Sequence, residues 1–115
     1  MILKKHSSFN SKNIIELGAG TGVCGMVSAV LGADVVITDM KEFVPLMKKN
    51  IEDNRDKMTA GSIEALEVDW RQFCQEEDPE NALEIDGHLR AKLIKKFDII
   101  LVSDCIYYDR KKHKL

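Results

Sequence analysis

Long hydrophobic runs, closely spaced cysteines and an excess of basic residues are all lacking in this 115-residue sequence. No apolar segment approaches the ~18–20 residues that a membrane-spanning helix needs, and Met1–Leu3 is too short for the core of a signal peptide. A formal net charge of −2 excludes the overall basic footprint of a nucleic-acid-binding domain. We therefore expect no membrane and no nucleic-acid partner, and we favour a solvated chain end over a binding patch for Arg110–Lys114.

Metal-binding and disulfide patterns are also lacking. Cys24, Cys74 and Cys105 lie far apart, with no C-x-x-C pair among them, and the three histidines are equally scattered. This spacing matches neither a disulfide framework nor a zinc site. We therefore predict no metal, surface histidines and a reducing, cytoplasmic location.

What the chain does contain is an alternation of apolar strands and amphipathic helices. Strands are predicted at Asn13–Leu17, Val35–Thr38, Ile63–Asp69 and Phe97–Ser103. Helices are predicted at Val23–Leu31, Lys41–Asn54 and Asn81–Lys96, and loops at Gln75–Glu80 and Asp104–Asp109. We expect the second strand to be covered on both faces, the fourth to be buried, and the third, with its glutamates, to lie near a sheet edge. The order predicts an α/β, Rossmann-like, doubly wound parallel sheet in one domain that spans residues 1–115.

Three glycines follow the first predicted strand, at Gly18, Gly20 and Gly22. In such sheets ligands lie beyond the carboxyl ends of the strands, where the strand order reverses. Glycine lets the backbone approach a ligand closely, and the following helix presents free N–H groups. Asp39 ends the second strand about 20 residues further on, where a carboxylate can accept hydrogen bonds from ribose hydroxyls. Together these residues predict a cofactor of the adenosine type.

Spacing and charge favour S-adenosylmethionine over a dinucleotide. Dinucleotide-binding loops usually follow G-x-G-x-x-G, whereas here Val23 occupies the position of the third glycine. Glu16 precedes the first glycine by two residues, and its carboxylate would repel a pyrophosphate. It suits S-adenosylmethionine, which has an ammonium group, a sulfonium and no phosphate. The alternatives are a structural turn with an incidental glutamate and a nicotinamide-dependent oxidoreductase.

The segment Ile14–Asp39 closely resembles the seven-β-strand methyltransferases. Within them the chain is similar to the small protein-lysine methyltransferases that modify chaperones, elongation factors and AAA ATPases. Val68–Trp70 resembles the acidic-aromatic pair after the third strand of that family, and Ser103–Tyr107 resembles its D-x-x-Y motif after the fourth. Gly32–Val36 and Asp104–Tyr108 look most like the member that methylates valosin-containing protein, a hexameric AAA ATPase.

The resemblance implies a role for each residue of the cofactor site. Glu16, Gly18 and Gly20 would hold the methionyl part, and Asp39 would bind the ribose. Met40 would lie against the adenine. Asp69 would sit near the adenine amine with Trp70 beside the ring, although packing alone could also explain this tryptophan. The remaining members of the expected cofactor-binding set are Thr21, Gly22 and Ser103.

Two residues would face the reacting nitrogen, Asp104 and Tyr107. Methyl transfer needs a neutral lysine amine, and neutralising lysine at pH 7 costs roughly 4–5 kcal/mol from its usual pKa of about 10.4. Asp104 could orient the amine or pass its proton to water, and Tyr107 could hydrogen-bond the amine and wall the lysine channel. The alternative makes Asp104 a loop cap and the Tyr107–Tyr108 pair core aromatics.

The chain departs from the family in its number of strands. The family's sheet has the order 3-2-1-4-5-7-6, whereas this sequence predicts only its first part, 3-2-1-4. We therefore expect a truncated isoform, a partial gene product or a fragment, whose fourth strand is an exposed apolar edge prone to association. The expected function is protein-lysine methylation on a substrate such as an AAA ATPase or a chaperone. The alternative is a non-catalytic product that acts as a binding module.

Overall fold

A parallel sheet forms the centre of the fold in the computed structural model, which describes residues 8–70 and 91–103. Its strands are β1 (Asn13–Leu17), β2 (Asp34–Asp39), β3 (Ser62–Glu67) and β4 (Ile99–Val102). The strand order is β3-β2-β1-β4, and every neighbouring pair is parallel. This confirms the predicted partial sheet with order 3-2-1-4 and places β3 at an edge, as its glutamates indicated.

Two α-helices cross over between the first three strands, α1 (Val23–Val30) and α2 (Val44–Asp53). Short 3-10 turns lie at Lys41–Phe43 and Arg55–Lys57. Ala29 of α1 and Met47 and Ile51 of α2 join Ile14 and Ile37 of the sheet in one hydrophobic core. Both helices therefore pack on the same face of the sheet.

The second face of the sheet is contacted by Lys92, which lies in the helical residues 91–93. Successive side chains of a strand point to opposite faces, so Glu64 points away from the core residue Ala65. The Lys92 ammonium donates to both carboxylate oxygens of Glu64, at 2.7 and 2.9 Å. Chain segments thus lie on both faces, as expected for a doubly wound sheet.

Pro45 explains why the second helix begins later than predicted. The sequence predicted one helix over Lys41–Asn54, but Lys41–Phe43 is a 3-10 turn and α2 begins at Val44. Proline has no N–H to donate to the carbonyl four residues earlier, so the Lys41 carbonyl cannot accept an α-helical bond. The predicted first turn was therefore wrong, while the body of the helix is confirmed.

Each of the third and fourth strands ends where the strand that it pairs with ends. β2 ends at Asp39, whose carbonyl accepts the Val68 N–H at 2.9 Å, so the predicted third strand stops at Glu67 and not at Asp69. The fourth strand covers Ile99–Val102 only, because it pairs with the short β1. The expectation that it is buried was wrong: Ile100 and Val102 are 62% and 59% exposed. Only its Ile99 face packs against the described core.

Several predicted segments lie outside the described residues, namely Gln75–Glu80, most of Asn81–Lys96 and Asp104–Asp109. Within residues 8–70 and 91–103, no helix is long and apolar enough to cross a membrane. In that same part of the chain, no three His, Cys, Asp or Glu side chains come together as a metal-binding group would require.

Candidate cofactor site

The glycine loop between β1 and α1 is built from left-handed backbone. Gly18, Gly20 and Gly22 have φ angles of 65°, 57° and 84°, values that side chains with a Cβ rarely adopt. The Gly22 N–H donates to the Ala19 carbonyl at 2.8 Å and closes the turn. The Gly22 carbonyl accepts the Met26 N–H at 2.9 Å and begins α1. The loop therefore turns sharply from strand into helix at the carboxyl end of β1.

Gly20 and Gly22 differ in what surrounds them. A Cβ at Gly22 would lie 2.7 Å from Cδ1 of Ile37, so this glycine allows α1 to pack closely on the sheet. A Cβ at Gly20 would meet no atom within 4 Å. The space beside Gly20 is thus open to a ligand, whereas Gly22 serves the packing of the loop.

Glu16 presents a buried carboxylate behind this loop. Its residue is 2% exposed, and its Oε2 accepts the Gly25 N–H from within α1 at 2.9 Å. The Thr38 hydroxyl donates to the Glu16 carbonyl at 2.7 Å, which ties β2 to the same residue. Burial raises the pKa of Glu16 above its usual 4.5; the Gly25 N–H lowers it in part, and the charge of Asp39 raises it further.

Asp39 braces the loop from the end of β2. Its Oδ2 accepts the Gly20 N–H and its Oδ1 accepts the Met40 N–H, each at 2.7 Å. The residue is 8% exposed. A carboxylate offers about four lone-pair sites, so both oxygens can accept further bonds. Asp39 can therefore hold the loop and still accept hydrogen bonds from a bound hydroxyl.

A cavity of ≈ 270 Å³ lies on the glycine loop. It is lined by Glu16, Gly18, Ala19, Gly20, Thr21, Val23, Cys24 and Ser103. Ser103 follows β4, and the others follow or end β1, so the cavity lies where the strand order reverses between β1 and β4. This is the position at which ligands bind in open α/β sheets. None of these lining residues is basic, and one is a buried carboxylate.

Of the predicted cofactor-binding residues, the structure brings five into this cavity: Glu16, Gly18, Gly20, Thr21 and Ser103. Gly22 and Asp39 support the loop without lining the cavity. Met40 follows β2 and Asp69 and Trp70 follow β3, and the Val68–Asp39 backbone bond holds these two strand ends together. Met40 and Trp70 are 43% and 44% exposed at this edge of the sheet. Asp104 and Tyr107 lie outside the described residues.

Gly25 and Thr38 are two site residues that sequence reasoning missed. A Cβ at Gly25 would overlap Cγ2 of Ile37 and lie 2.9 Å from Oε2 of Glu16. Glycine inside a helix is disfavoured by about 1 kcal/mol relative to alanine, so its presence within the predicted helix signalled a close approach. Thr38 gave no such signal, because threonine is common in strands.

The chemistry of the cavity selects a class of ligand. Diphosphates bind where basic side chains or free helix N–H groups compensate their charge, but here the helix N–H of Gly25 is already bonded to Glu16. A carboxylate in a cavity without basic lining favours a ligand that carries positive charge. S-adenosylmethionine, with its ammonium and sulfonium, fits these residues.

Comparison with solved structures identifies the fold. The fold is similar to that of magnesium protoporphyrin IX methyltransferase from Synechocystis PCC 6803 with bound SAH, with a TM-score of 0.59 and 16% identity over 93% of this chain and 40% of that chain. It is also similar to protein arginine methyltransferase 10 from Arabidopsis thaliana, with a TM-score of 0.55 and 20% identity over 87% of this chain and 22% of that one. The fold is thus the Rossmann-like fold of methyltransferases.

Sequence comparison identifies the family within that class. Residues 2–115 match the family described as "Lysine methyltransferase", and the chain belongs to it. Protein-lysine N-methyltransferase rrg1 of Schizosaccharomyces pombe is 39% identical over 85% of this chain and 30% of its own length. Calmodulin-lysine N-methyltransferase of Arabidopsis thaliana is 34% identical over 92% and 31%, and mouse METTL21A, a protein N-lysine methyltransferase, is 35% identical over 83% and 37%.

The chain spans about a third of the length of these relatives. The matched third contains the glycine loop, Glu16 and Asp39, which form the described site. S-adenosylmethionine is the cofactor of this class, and the cavity's charge agrees with it.

Proposed function

We propose that this chain is the cofactor-binding part of an S-adenosylmethionine-dependent methyltransferase that modifies a lysine side chain of a protein. The observation that carries the proposal is the buried carboxylate of Glu16 in the wall of a cavity whose lining has no basic residue. Membership of the lysine methyltransferase family supports the same reaction class.

Each residue of the loop has a proposed task. The Glu16 carboxylate attracts the ammonium of the methionyl end, and the open backbone at Gly20 lets that end approach the loop. Asp39 accepts hydrogen bonds from the ribose with the lone pairs that Gly20 and Met40 leave available. When bound, S-adenosylmethionine supplies an electrophilic methyl group on its sulfonium.

The acceptor side of the reaction is proposed for Asp104 and Tyr107. Ser103 lines the cavity and directly precedes Asp104 in the sequence, which supports this assignment. A carboxylate can orient the lysine amine or take its proton, and a tyrosine can fix the direction of its lone pair. Alignment of the two reacting atoms supplies several kcal/mol in such reactions.

The substrate that we propose is a cytoplasmic protein such as an AAA ATPase or a chaperone. One similar protein is named for calmodulin, which is likewise a protein substrate. We also propose that β4 mediates association with a second copy of the chain, because it is a sheet edge that exposes Ile100 and Val102.

Transfer of a labelled methyl group from S-adenosylmethionine tests the reaction class. If the chain carries the acceptor side as proposed, it will label one or a few proteins of a cell lysate, with methyl-lysine as the labelled residue after hydrolysis. An Asp39→Ala variant serves as the control and should lose the label. Label on arginine or histidine would contradict the proposed acceptor, and cofactor binding without any transfer would favour the non-catalytic alternative.

A further inference from the structure

The glycine loop is held by hydrogen bonds from two sides. On the sheet side, the Gly20 N–H donates to Asp39 at 2.7 Å and the Ala19 N–H donates to the Thr38 carbonyl at 2.9 Å. On the helix side, Nδ2 of Asn50 donates to the Thr21 carbonyl at 2.9 Å. Asn50 belongs to α2, 29 residues further along the chain. A helix that lies outside the cavity thus contacts one of its lining residues.

Thr21 lies in the part of the loop where the backbone is least restrained by its own residue types. It lines the cavity and stands between Gly20 and Gly22, whose left-handed backbone can rotate more freely than that of other residues. Its own side chain is exposed and forms no part of the core. The N–H of the Thr21–Gly22 peptide group is held by the Ala19 carbonyl, and the Asn50 bond restrains the carbonyl of the same group.

Asn50 is a firm point of attachment because of the residues beside it. Met47 and Ile51 of the same helix are 0% and 4% exposed and pack into the core. They fix α2 against the sheet, and Asn50 lies between them in sequence on the half-buried side of the helix. The Asn50 side chain therefore links the loop to a helix whose position is fixed by the core.

We propose that Asn50 is a positioning residue for cofactor binding, which holds the Thr21 carbonyl and so keeps the glycine loop in its binding conformation. The proposal rests on the proposed function, in that the loop receives the methionyl end of the cofactor. A loop that is ordered before binding loses less conformational freedom when the ligand arrives, and affinity rises accordingly. Asn50 needs no contact with the cofactor for this effect.

Substitution of Asn50 by alanine distinguishes an effect on the position of the glycine loop from an effect on the stability of the fold. Alanine favours a helix more than asparagine does, which offsets part of the free energy of the lost hydrogen bond, so the melting temperature of the unliganded full chain should change by only a few degrees. Titration calorimetry with S-adenosylhomocysteine should nevertheless show a Kd raised about five- to tenfold, the usual effect of one lost hydrogen bond. Amide hydrogen exchange should become faster at residues 20–22 and stay unchanged in β1.

Asn54 supplies the matched control. Its Nδ2 donates to a backbone carbonyl of the same helix, that of Asn50, at 2.8 Å and does not reach the loop. Asn54→Ala should leave the Kd within about twofold of the unmodified chain, a change well below that of one lost hydrogen bond. An equal rise of Kd in both variants, or no rise in Asn50→Ala, would overturn the proposal. An unmodified chain that does not bind S-adenosylhomocysteine contradicts the proposed function itself, and this inference falls with it.

Discussion

At the scale of single residues, the site places a carboxylate where its charge opposes folding. Glu16 is buried next to a second carboxylate, Asp39, and its carboxylate accepts a hydrogen bond from the backbone N–H of Gly25. Such an arrangement stabilises a cationic ligand better than a neutral one. We infer that the charge of Glu16 lowers the free energy of unfolding of the unliganded chain, and that a bound positive charge offsets this effect.

This arrangement predicts a pH dependence of stability. Burial raises the pKa of Glu16 above its usual 4.5, so the folded chain retains a proton that the unfolded chain releases. The stabilising effect of the protonated form is present below pH 4.5 and is lost as the pH rises through the raised pKa. Glu16→Gln keeps an acceptor for Gly25 without the charge, and its melting temperature should exceed that of the unmodified chain at pH 7.

Ligand binding should respond to pH in the opposite direction. A cationic headgroup needs ionised Glu16, so affinity for S-adenosylhomocysteine should fall as the pH drops through the raised pKa. In Glu16→Gln this pH dependence should be absent and the affinity at pH 7 about ten- to a hundredfold lower, as expected for the loss of a charge-assisted bond. Equal affinities of both proteins across the pH range would contradict the assigned role.

The sequence predicted the residues of this site better than their contacts. Glu16 and Asp39 could be identified because Glu16 precedes the first glycine of the loop by two residues and Asp39 ends the next strand, at the edge of the sheet where ligands bind. The bond from Gly25 to Glu16 and the bond from Asn50 to Thr21 could not, because a hydrogen bond between distant residues depends on how α1 and α2 pack. Periodicity predicts the buried face of a helix, and it does not predict which polar group on that helix meets a loop.

At the scale of elements, some glycines leave space for a ligand and others allow the backbone to pack closely. Substitution of Gly20 and of Gly61 tests this difference. Gly20→Ala should cost about 1–2 kcal/mol because of its left-handed backbone. Its new methyl group would point into open space and clash with a bound ligand, weakening binding about tenfold or more, as overpacking by one methyl group does. Calorimetric titration with S-adenosylhomocysteine measures the loss.

Gly61→Ala provides the comparison. A Cβ there would overlap the Ala33 carbonyl oxygen and lie 2.7 Å from that of Ala29, far from the cavity lining. We expect a loss of about 1–3 kcal/mol from overpacking, with unchanged affinity of the folded chain for S-adenosylhomocysteine. If Gly61→Ala weakened binding as strongly as Gly20→Ala, general destabilisation would explain both results and the separation would be wrong.

Element boundaries show where sequence reasoning stops. The apolar pattern placed α1 and β1 correctly, because their periods of 3.6 and 2 are set by the covalent chain. It extended β3 to Asp69 and β4 to Ser103, because strand length also depends on how far the paired strand runs. The start of α2 depended on one missing N–H at Pro45, which a hydrophobic pattern cannot register.

At the scale of the whole molecule, the described sheet has a polar and an apolar edge. β3 carries Glu64 and Glu67, charges that discourage pairing with another strand, whereas β4 consists of Ile99, Ile100, Leu101 and Val102. The fold and the family could be predicted from the sequence, since the motifs lie in the first two βα units. The resemblance to the member that methylates valosin-containing protein, and the substrate protein, stay predictions, because the segment matched covers a third of the relatives.

The exposed apolar edge predicts concentration-dependent association. We expect light scattering of the 13.0 kDa chain to show a mass that rises with concentration. Val102→Lys, at a residue that is 59% exposed, should keep the chain monomeric with little change in stability. Ile94→Lys, at an exposed residue outside β4, is the control and should leave association unchanged. An unmodified chain that stays monomeric at high concentration would contradict the role of β4.

One titration tests the central claim that the cavity is built for the ammonium of an amino-acid headgroup and not for a diphosphate. S-adenosylhomocysteine and NAD are titrated separately into the unmodified chain at pH 7, with Asp39→Ala and Glu16→Ala as controls. The site described here predicts one bound S-adenosylhomocysteine per chain, no binding of NAD and loss of binding in both variants. Binding of NAD with no binding of S-adenosylhomocysteine would contradict it.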